Sequence, residues 1–234
     1  MVDVASVADS YWADVFQASG GDVWPGGVHT TYAADGWDGV YVMSVGSCIR
    51  IRAQAARAAQ IQPLVSSGTL ADLMDPGFWE AGLRELRPNV LGPASHFLSA
   101  ERIIPRAVPA PPVSRTKLEA FLAREDEAEI DEAGILDTGS QLFGVHVDGG
   151  LVAVAALSEW AGARSDVGVL TSRHYRGRGY GAAAAAAALD SAIRHGGGFA
   201  RWRCRDDNPA SLAMARRFGL AFYGRNLGIR LSTK

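Results

Sequence analysis

Seven consecutive alanines, residues 182–188, follow directly on the turn Arg176-Gly177-Arg178-Gly179-Tyr180-Gly181. Alanine has the highest helix propensity and ends at Cβ, so the run specifies a helix able to lie close against a sheet. The glycines ahead of it permit left-handed backbone. A short apolar run, Val167-Gly168-Val169-Leu170, precedes the turn. The order is therefore strand, glycine-rich turn, helix. Such a turn presents the unpaired N–H groups of a helix start to an anion, and a pyrophosphate is one that fits.

Two motifs share this turn. Gly177-Arg178-Gly179-Tyr180-Gly181-Ala182 fits the dinucleotide fingerprint, and Asp206 or Asp207 lies near the distance of its ribose-binding acid. Two features speak against that reading. Residues 171–175 intervene between strand and turn, and too little chain follows Gly181 to complete a doubly wound sheet. The other motif is Gln/Arg-x-x-Gly-x-Gly/Ala, present as Arg176-x-x-Gly179-x-Gly181. Downstream come Asn208, a small residue three on (Ser211), and Gly219-Leu220 closing a helix.

In these residues, residues 114–234 resemble the GCN5-related N-acetyltransferase (GNAT) family. The resemblance implies an α/β (α+β) fold with a mixed central sheet flanked by helices, and acetyl-CoA or another acyl-CoA as co-substrate. It implies cofactor contacts from Val169, Leu170, Thr171, Arg176, Gly177, Arg178, Gly179, Tyr180, Gly181, Ala182 and Asn208. The main chain of Val169 to Thr171 would meet the pantetheine arm, and the glycine turn would meet the pyrophosphate. Gly179 and Gly181 are expected to leave its approach unobstructed. Arg173, Arg176 and Arg178 stand where phosphates pass.

The family's carboxylate base falls nearest Asp166, with Glu159 as the second candidate. A turn residue and a strand-end surface residue are their bland readings. Many family members carry a tyrosine seven residues after the Asn to protonate the sulfur; Ala215 stands there. Ser211 offers a hydroxyl instead, and Tyr223 is a further candidate from elsewhere in the chain. His174 lies on the cofactor loop, which ranks it below the carboxylates. His96 is read either as lining an acceptor pocket or as a structural histidine.

The 234 residues suffice for one large domain or two small ones. Pro105, Pro109, Pro111 and Pro112 mark 105–113 as an extended linker between an N-terminal α/β part (1–104) and the acetyltransferase part (114–234). The N-terminal part reads as an acceptor-shaping domain, or as a degenerate second copy of the same fold. Leu91-Gly92-Pro93-Ala94 and Trp160 also resemble two-part bacterial acetyltransferases of small molecules, the zwittermicin A resistance type among them.

Along the chain, helices are predicted over 6–17, 53–61, 76–86, 114–123, 125–133, 179–195 and 209–218. Strands are predicted over 39–45, 48–52, 141–147, 151–159, 167–171, 201–204, 221–225 and 228–232, the last two as a hairpin. Residues 20–27 read as a loop, and Leu91-Gly92-Pro93 as the end of its region.

A net charge of −2 does not call for nucleic acid. From Leu170 onward, however, stand 12 of the 23 Lys/Arg and 3 of the 25 Asp/Glu. Such a basic third suits an anionic co-substrate, or docks onto an acidic remainder. Arg201, Arg203 and Arg205 alternate on one strand face, and Trp202 points the other way, so base stacking has no platform. Cys48 and Cys204, far apart, make neither a zinc signature nor a disulfide framework. No apolar run reaches membrane-spanning length. The expectation is a cytoplasmic monomer or homodimer without metal, acylating a primary amine of a small molecule in a ternary complex. The alternatives are a non-catalytic acyl-CoA sensor and a protein-lysine or N-terminal acetyltransferase.

Overall fold

The computed structural model describes residues 2–18, 22–34, 38–104 and 108–231. Residues 105–107 of the expected linker and 232 of the expected last strand lie outside these. The protein is mixed α/β and divides into two compact units, each drawn from separate stretches of chain. One holds Phe97–Arg203 and Ala213–Ala221, with the first residues of the chain. The other holds Ala5–His96, Cys204–Leu212 and the chain from Phe222 onward. We call them the glycine-turn unit and the aromatic unit.

The aromatic unit begins with α1 (Val4–Phe16) and the strands β1 (Gly27–Ala33), β2 (Gly39–Val45) and β3 (Cys48–Gln54). Next come α2 (Ala58–Ser67), α3 (Pro76–Gly82) and β4 (Asn89–Ser99), which leaves the unit between His96 and Phe97. Asp75 caps α3 by accepting from the Gly77 N–H, with Pro76 at the first helical position. Pro63 lies inside α2, which therefore runs past the 53–61 expected from the sequence. The strand order is β1-β3-β2-β9-β4. β1 pairs parallel with β3, and β2 pairs antiparallel with both β3 and β9 (Ala221–Arg230).

One face of this sheet presents Val40, Val42, Ile51, Leu227 and Ile229 to Ile61 of α2, to Leu73 in the 3₁₀ turn ahead of α3, and to Trp79 of α3. Tyr41, on the opposite face by alternation, meets α1: its ring stacks on Trp12 at 5.8 Å and lies 6.1 Å from Phe16. Three expectations fail here. Residues 89–99 form one strand straight through Gly92-Pro93, where the end of a region was expected. The hairpin over 221–232 is one continuous strand, because each of Gly39–Ser44 in β2 has a partner on β9 from Arg230 to Arg225. β1 begins at Gly27, the last residue of the expected loop, and was not anticipated, because a strand with three polar residues among seven shows little apolar period.

The glycine-turn unit opens with the Pro-rich stretch. Its described part docks: Pro112 bridges Phe143, and the Val113 N–H donates to Leu142 O at 2.9 Å. α4 (Arg115–Leu122) follows, capped by Ser114, and α5 (Glu127–Ala133), capped by Asp126. Strands β5 (Gln141–Val147), β6 (Gly150–Trp160) and β7 (Ala163–Thr171) form an antiparallel meander. The two-residue β5–β6 turn places Asp148 and Gly149 at φ 51° and 78°, both left-handed, as an Asp-Gly hairpin requires.

β6 is buried on both faces from Leu151 to Leu157. On one side Val154 and Ala156 pack with Leu118 and Phe121 of α4. On the other lies α6 (Tyr180–His195), in contact with β5, β6 and β7. α6 buries nearly every residue from Gly181 to Ala192, which side chains longer than alanine would prevent. β8 (Ala200–Arg205) lies parallel to β7, and α7 (Pro209–Arg217) follows it.

Candidate functional site

The site is built on the end of β7 and the start of α6. β7 pairs with β6 along its whole length, but with β8 through one registered pair, Asp166 with Arg201. Among the described residues no further β7–β8 pair follows, so the edge of β7 from Val167 to Thr171 lacks a ladder partner on that side. A strand directs alternate N–H and C=O groups to each edge, so this edge offers main-chain donors and acceptors to an extended ligand.

Beyond Thr171 the chain makes a short 3₁₀ turn over Arg173–Tyr175 and then the glycine turn. Gly177 and Gly179 have φ of 75° and 83°, and a Cβ on either would meet nothing within 4 Å. Their need for glycine is conformational, and the space before them is open. Gly179 is the N-cap of α6 and brings no side chain to its first turn. The first helical bond of α6 is Ala183 N–H to Gly179 O at 3.0 Å. The N–H groups of Tyr180, Gly181 and Ala182 thus point out of the helix, at its positive end.

Gly181 differs from its neighbours. A Cβ there would sit 2.4 Å from Thr171 Oγ1, so the missing side chain makes room for Thr171 of β7. Arg176 is also engaged within the protein. Its Nε donates to Thr171 O at 3.0 Å, and its other arm forms an ion pair with Glu129 of α5. Arg178 lies over the Tyr175 ring at 5.6 Å, and Arg173 is exposed.

At the closed end of the β7–β8 wedge, Arg201 pairs with Asp166 at 2.9 Å and lies over the Trp160 ring at 4.8 Å. The Arg201 side chain is 9% exposed and that of Asp166 31%. Asp166 lies three residues before Val169, about 10 Å along a strand. Glu159 is exposed and pairs in register with Arg164, two residues from the hairpin turn.

Asn208 and Ser211 belong to the aromatic unit, where Asn208 caps α7: its Oδ1 accepts from the Ser211 N–H at 3.0 Å. Ala215 is fully buried. The Tyr223 hydroxyl donates to Asp9 at 2.6 Å and accepts from Trp24 Nε1 at 3.0 Å. Burial, then the bond to Asp9, pushes its pKa far above that of a free tyrosine. His96 is buried, 2.7 Å from Asn226 Oδ1 and edge-on to Trp12. This is a structural setting. Among the described residues no group of three or more His, Cys, Asp or Glu is placed to hold a metal, and no helix is long and apolar enough to cross a membrane.

Sequence reading did not find Glu129. It lies in an acidic run, Glu127 to Glu132, that looks like a solvated face, and its partner stands 47 residues away. Nor did it find the role of Gly168. A Cβ there would lie 2.0 Å from the Ala133 carbonyl oxygen, so glycine lets the end of α5 rest on β7.

No curated protein matches the chain. Among solved structures it is similar to a GNAT-family protein of Novosphingobium aromaticivorans DSM 12444, with TM-score 0.48 and 18% identity over 62% of this chain and 68% of that one. It is likewise similar to a GNAT-family acetyltransferase of Colwellia psychrerythraea, with TM-score 0.47 and 14% identity over 62% and 57%. A Drosophila protein matches with TM-score 0.52 and 14% identity over 82% and 74%, a likeness of fold. Residues 108–220 match the Acetyltransferase (GNAT) family, from the docked Pro-rich strap to the glycine that closes α7. Residues 108–220 are thus a GNAT acetyltransferase domain within this chain.

Proposed function

We propose that the protein transfers an acyl group, acetyl in the simplest case, from acyl-CoA to the primary amine of a small molecule in a ternary complex. The observation that carries this reading is the continuity between the unpaired edge of β7 and the outward N–H groups of α6. An extended arm and a pyrophosphate need these two surfaces in that order.

Bound acyl-CoA supplies an activated acyl carbon whose C–S bond gives way to a C–N bond as the thiolate leaves. The chain's own residues hold and orient. Val169, Leu170 and Thr171 offer main-chain groups along the arm, and an N–H among them polarises the carbonyl. Gly177 and Gly179 open the approach, and the N–H groups of Tyr180, Gly181 and Ala182 hold the pyrophosphate. Arg178 adds positive charge beside it. Arg176 serves from behind, through Thr171. Asn208 contacts the arm, and the Ser211 hydroxyl, or water, returns a proton to sulfur in place of the tyrosine that Ala215 replaces. Asp166 receives the amine's proton, directly or through water; its carboxylate reaches solvent while Arg201 holds it. Glu159 is the second candidate.

Acceptor choice belongs, on this reading, to the part before the Pro-rich stretch. Cys48 and Cys204 are both buried and outside any disulfide, which fits a reducing cytoplasm. The protein would act there as a monomer or homodimer.

Calorimetric titration with acetyl-CoA and with NADH, on the wild type and Gly179→Trp, tests the reading. Saturable binding of acetyl-CoA by the wild type, reduced at least about 100-fold in a variant that melts normally, is expected, since the indole fills the approach. Absence of binding by any acyl-CoA overturns it, and binding of NADH alone restores the dinucleotide reading. The missing tyrosine keeps one rival specific: a sensor that binds acyl-CoA without turnover. CoA release with any amine in a broad panel removes that rival.

A further inference from the structure

We infer that Glu129 is a positioning residue of the anion cradle, acting through Arg176 on the start of α6; this rests on the acyl-CoA reading of that cradle. Three contacts carry the argument. The Arg176 guanidinium donates to the carbonyl of Thr171, the last residue of β7, and pairs with Glu129. Thr171 in turn fills, with Oγ1, the space where a Cβ of Gly181 would lie. α5 is itself fixed, because its last residue, Ala133, rests its carbonyl on Gly168 of the same strand. Glu129 stands one helical turn before that anchor.

The result is a closed loop of supports: strand to α5 at Gly168, α5 to guanidinium at Glu129, guanidinium to strand end at Thr171, and strand end to α6 at Gly181. Between the last two lies the glycine turn. Gly177 and Gly179 contribute no side-chain packing of their own to hold it. The direction of the outward N–H groups of α6 is therefore set from behind. As an isolated surface pair, Glu129 and Arg176 would matter little, with side chains 36% and 44% exposed. Their position gives them effect, because a small tilt of α6 misaims several donors at once.

This assignment reverses the simpler expectation for Arg176. If its guanidinium were a phosphate ligand, Glu129 would compete with the phosphate. Removing the Glu129 charge would then tighten binding, as loss of a nearby negative charge favours any anion. If Glu129 holds a strut, the same change weakens binding against that electrostatic trend. The two readings differ in sign.

The experiment is calorimetric titration of the full chain with acetyl-CoA, comparing wild type, Glu129→Gln, Arg176→Gln and the double variant. Amide hydrogen exchange is followed on the unliganded proteins. Glu129→Gln is expected to weaken binding about two- to fivefold. The double variant should bind no worse than Arg176→Gln alone, since both act through one link. In the absence of ligand, amides of residues 177–183 should exchange several-fold faster, with those of β5 and β6 unmoved. Unchanged or tighter binding by Glu129→Gln overturns the inference, as do additive losses. A wild type that binds no acyl-CoA defeats the underlying reading instead, and the exchange rates then decide the strut by themselves: unmoved 177–183 amides overturn it.

Discussion

The two units lay a helix on a sheet in opposite ways. In the glycine-turn unit α6 meets β5–β7 through alanines, with Gly181 and Gly196 cut away where side chain or backbone would collide, and Gly168 gives the same clearance to the end of α5. In the aromatic unit α1 meets its sheet through Trp12 and Phe16, both against the ring of Tyr41. Large rings bury more apolar area per residue and keep a helix at a distance, so the sheet's main chain stays covered. Small residues bury less and bring main chain close to main chain. Polar groups follow the same division. The aromatic unit turns its own inward: His96 on Asn226, Tyr223 on Asp9, Ser95 and Arg225 on Asp206. The glycine-turn unit leaves a strand edge and a helix start unclaimed. Close packing of small residues leaves main-chain donors and acceptors at the surface.

The sharpest way to break this contrast is Gly168→Val. The added Cβ would stand 2.0 Å from the Ala133 carbonyl oxygen, a backbone atom that cannot swing away. A loss above about 4 kcal/mol, or failure to fold, is expected in urea denaturation. A variant as stable as the wild type would mean that α5 does not rest on β7.

Next in size is Arg201→Met. It leaves the Asp166 carboxylate without its ion-pair partner at the wedge's closed end, and about 3 kcal/mol should be lost. Asp166→Asn in the same chain should restore at least half of that. No recovery would show that Arg201 works through contacts other than Asp166.

The smallest expected effect sharpens the picture of the aromatic unit. Arg57 grips Asp38 through Nε at 2.9 Å and a second nitrogen at 2.5 Å, and these hydrogen bonds hold the Asp38 pKa below its usual range. A lowered folded-state pKa contributes stability above the unfolded value, about pH 4, that disappears as pH falls through the folded one. Unfolding free energies at pH 7 and pH 3 should therefore fall more steeply for the wild type than for Asp38→Asn. Equal slopes would show that the pair contributes nothing in acid.

What the sequence revealed follows the range over which each signal acts. α6 appears where expected, and the Asp148-Gly149 turn and the Asp75, Ser114 and Asn208 caps are likewise local statements of propensity or left-handed backbone. The glycine motif was legible for the same reason. β1 was not, because its parallel partner β3 covers it and its alternation is weak. The Gly92-Pro93 stretch reads locally as a stop, yet β4 runs on, its buried half starting just beyond at Ala94. The last strand looked like a hairpin because Gly224, Asn226 and Gly228 interrupt it. Gly224 is dictated by Ser44 O, 2.6 Å from where its Cβ would be, and Asn226 by His96. At the site, main-chain positions were readable, whereas the partners of Arg176 and Arg201 were not, since sequence shows a charge but not what faces it.

The threading of the aromatic unit has a consequence for how the chain is made. Its sheet carries β9 between β2 and β4, so one of its interior strands is the last one synthesised. A ribosome will have released every other strand of that sheet before this interior strand exists. Until then β2 presents an unpaired edge with Val40, Val42 and Met43 behind it, the kind of edge that pairs with a neighbouring chain. This unit should be slow to mature, dependent on chaperones during translation, and damaged more by a few missing residues at β9 than by loss of α1.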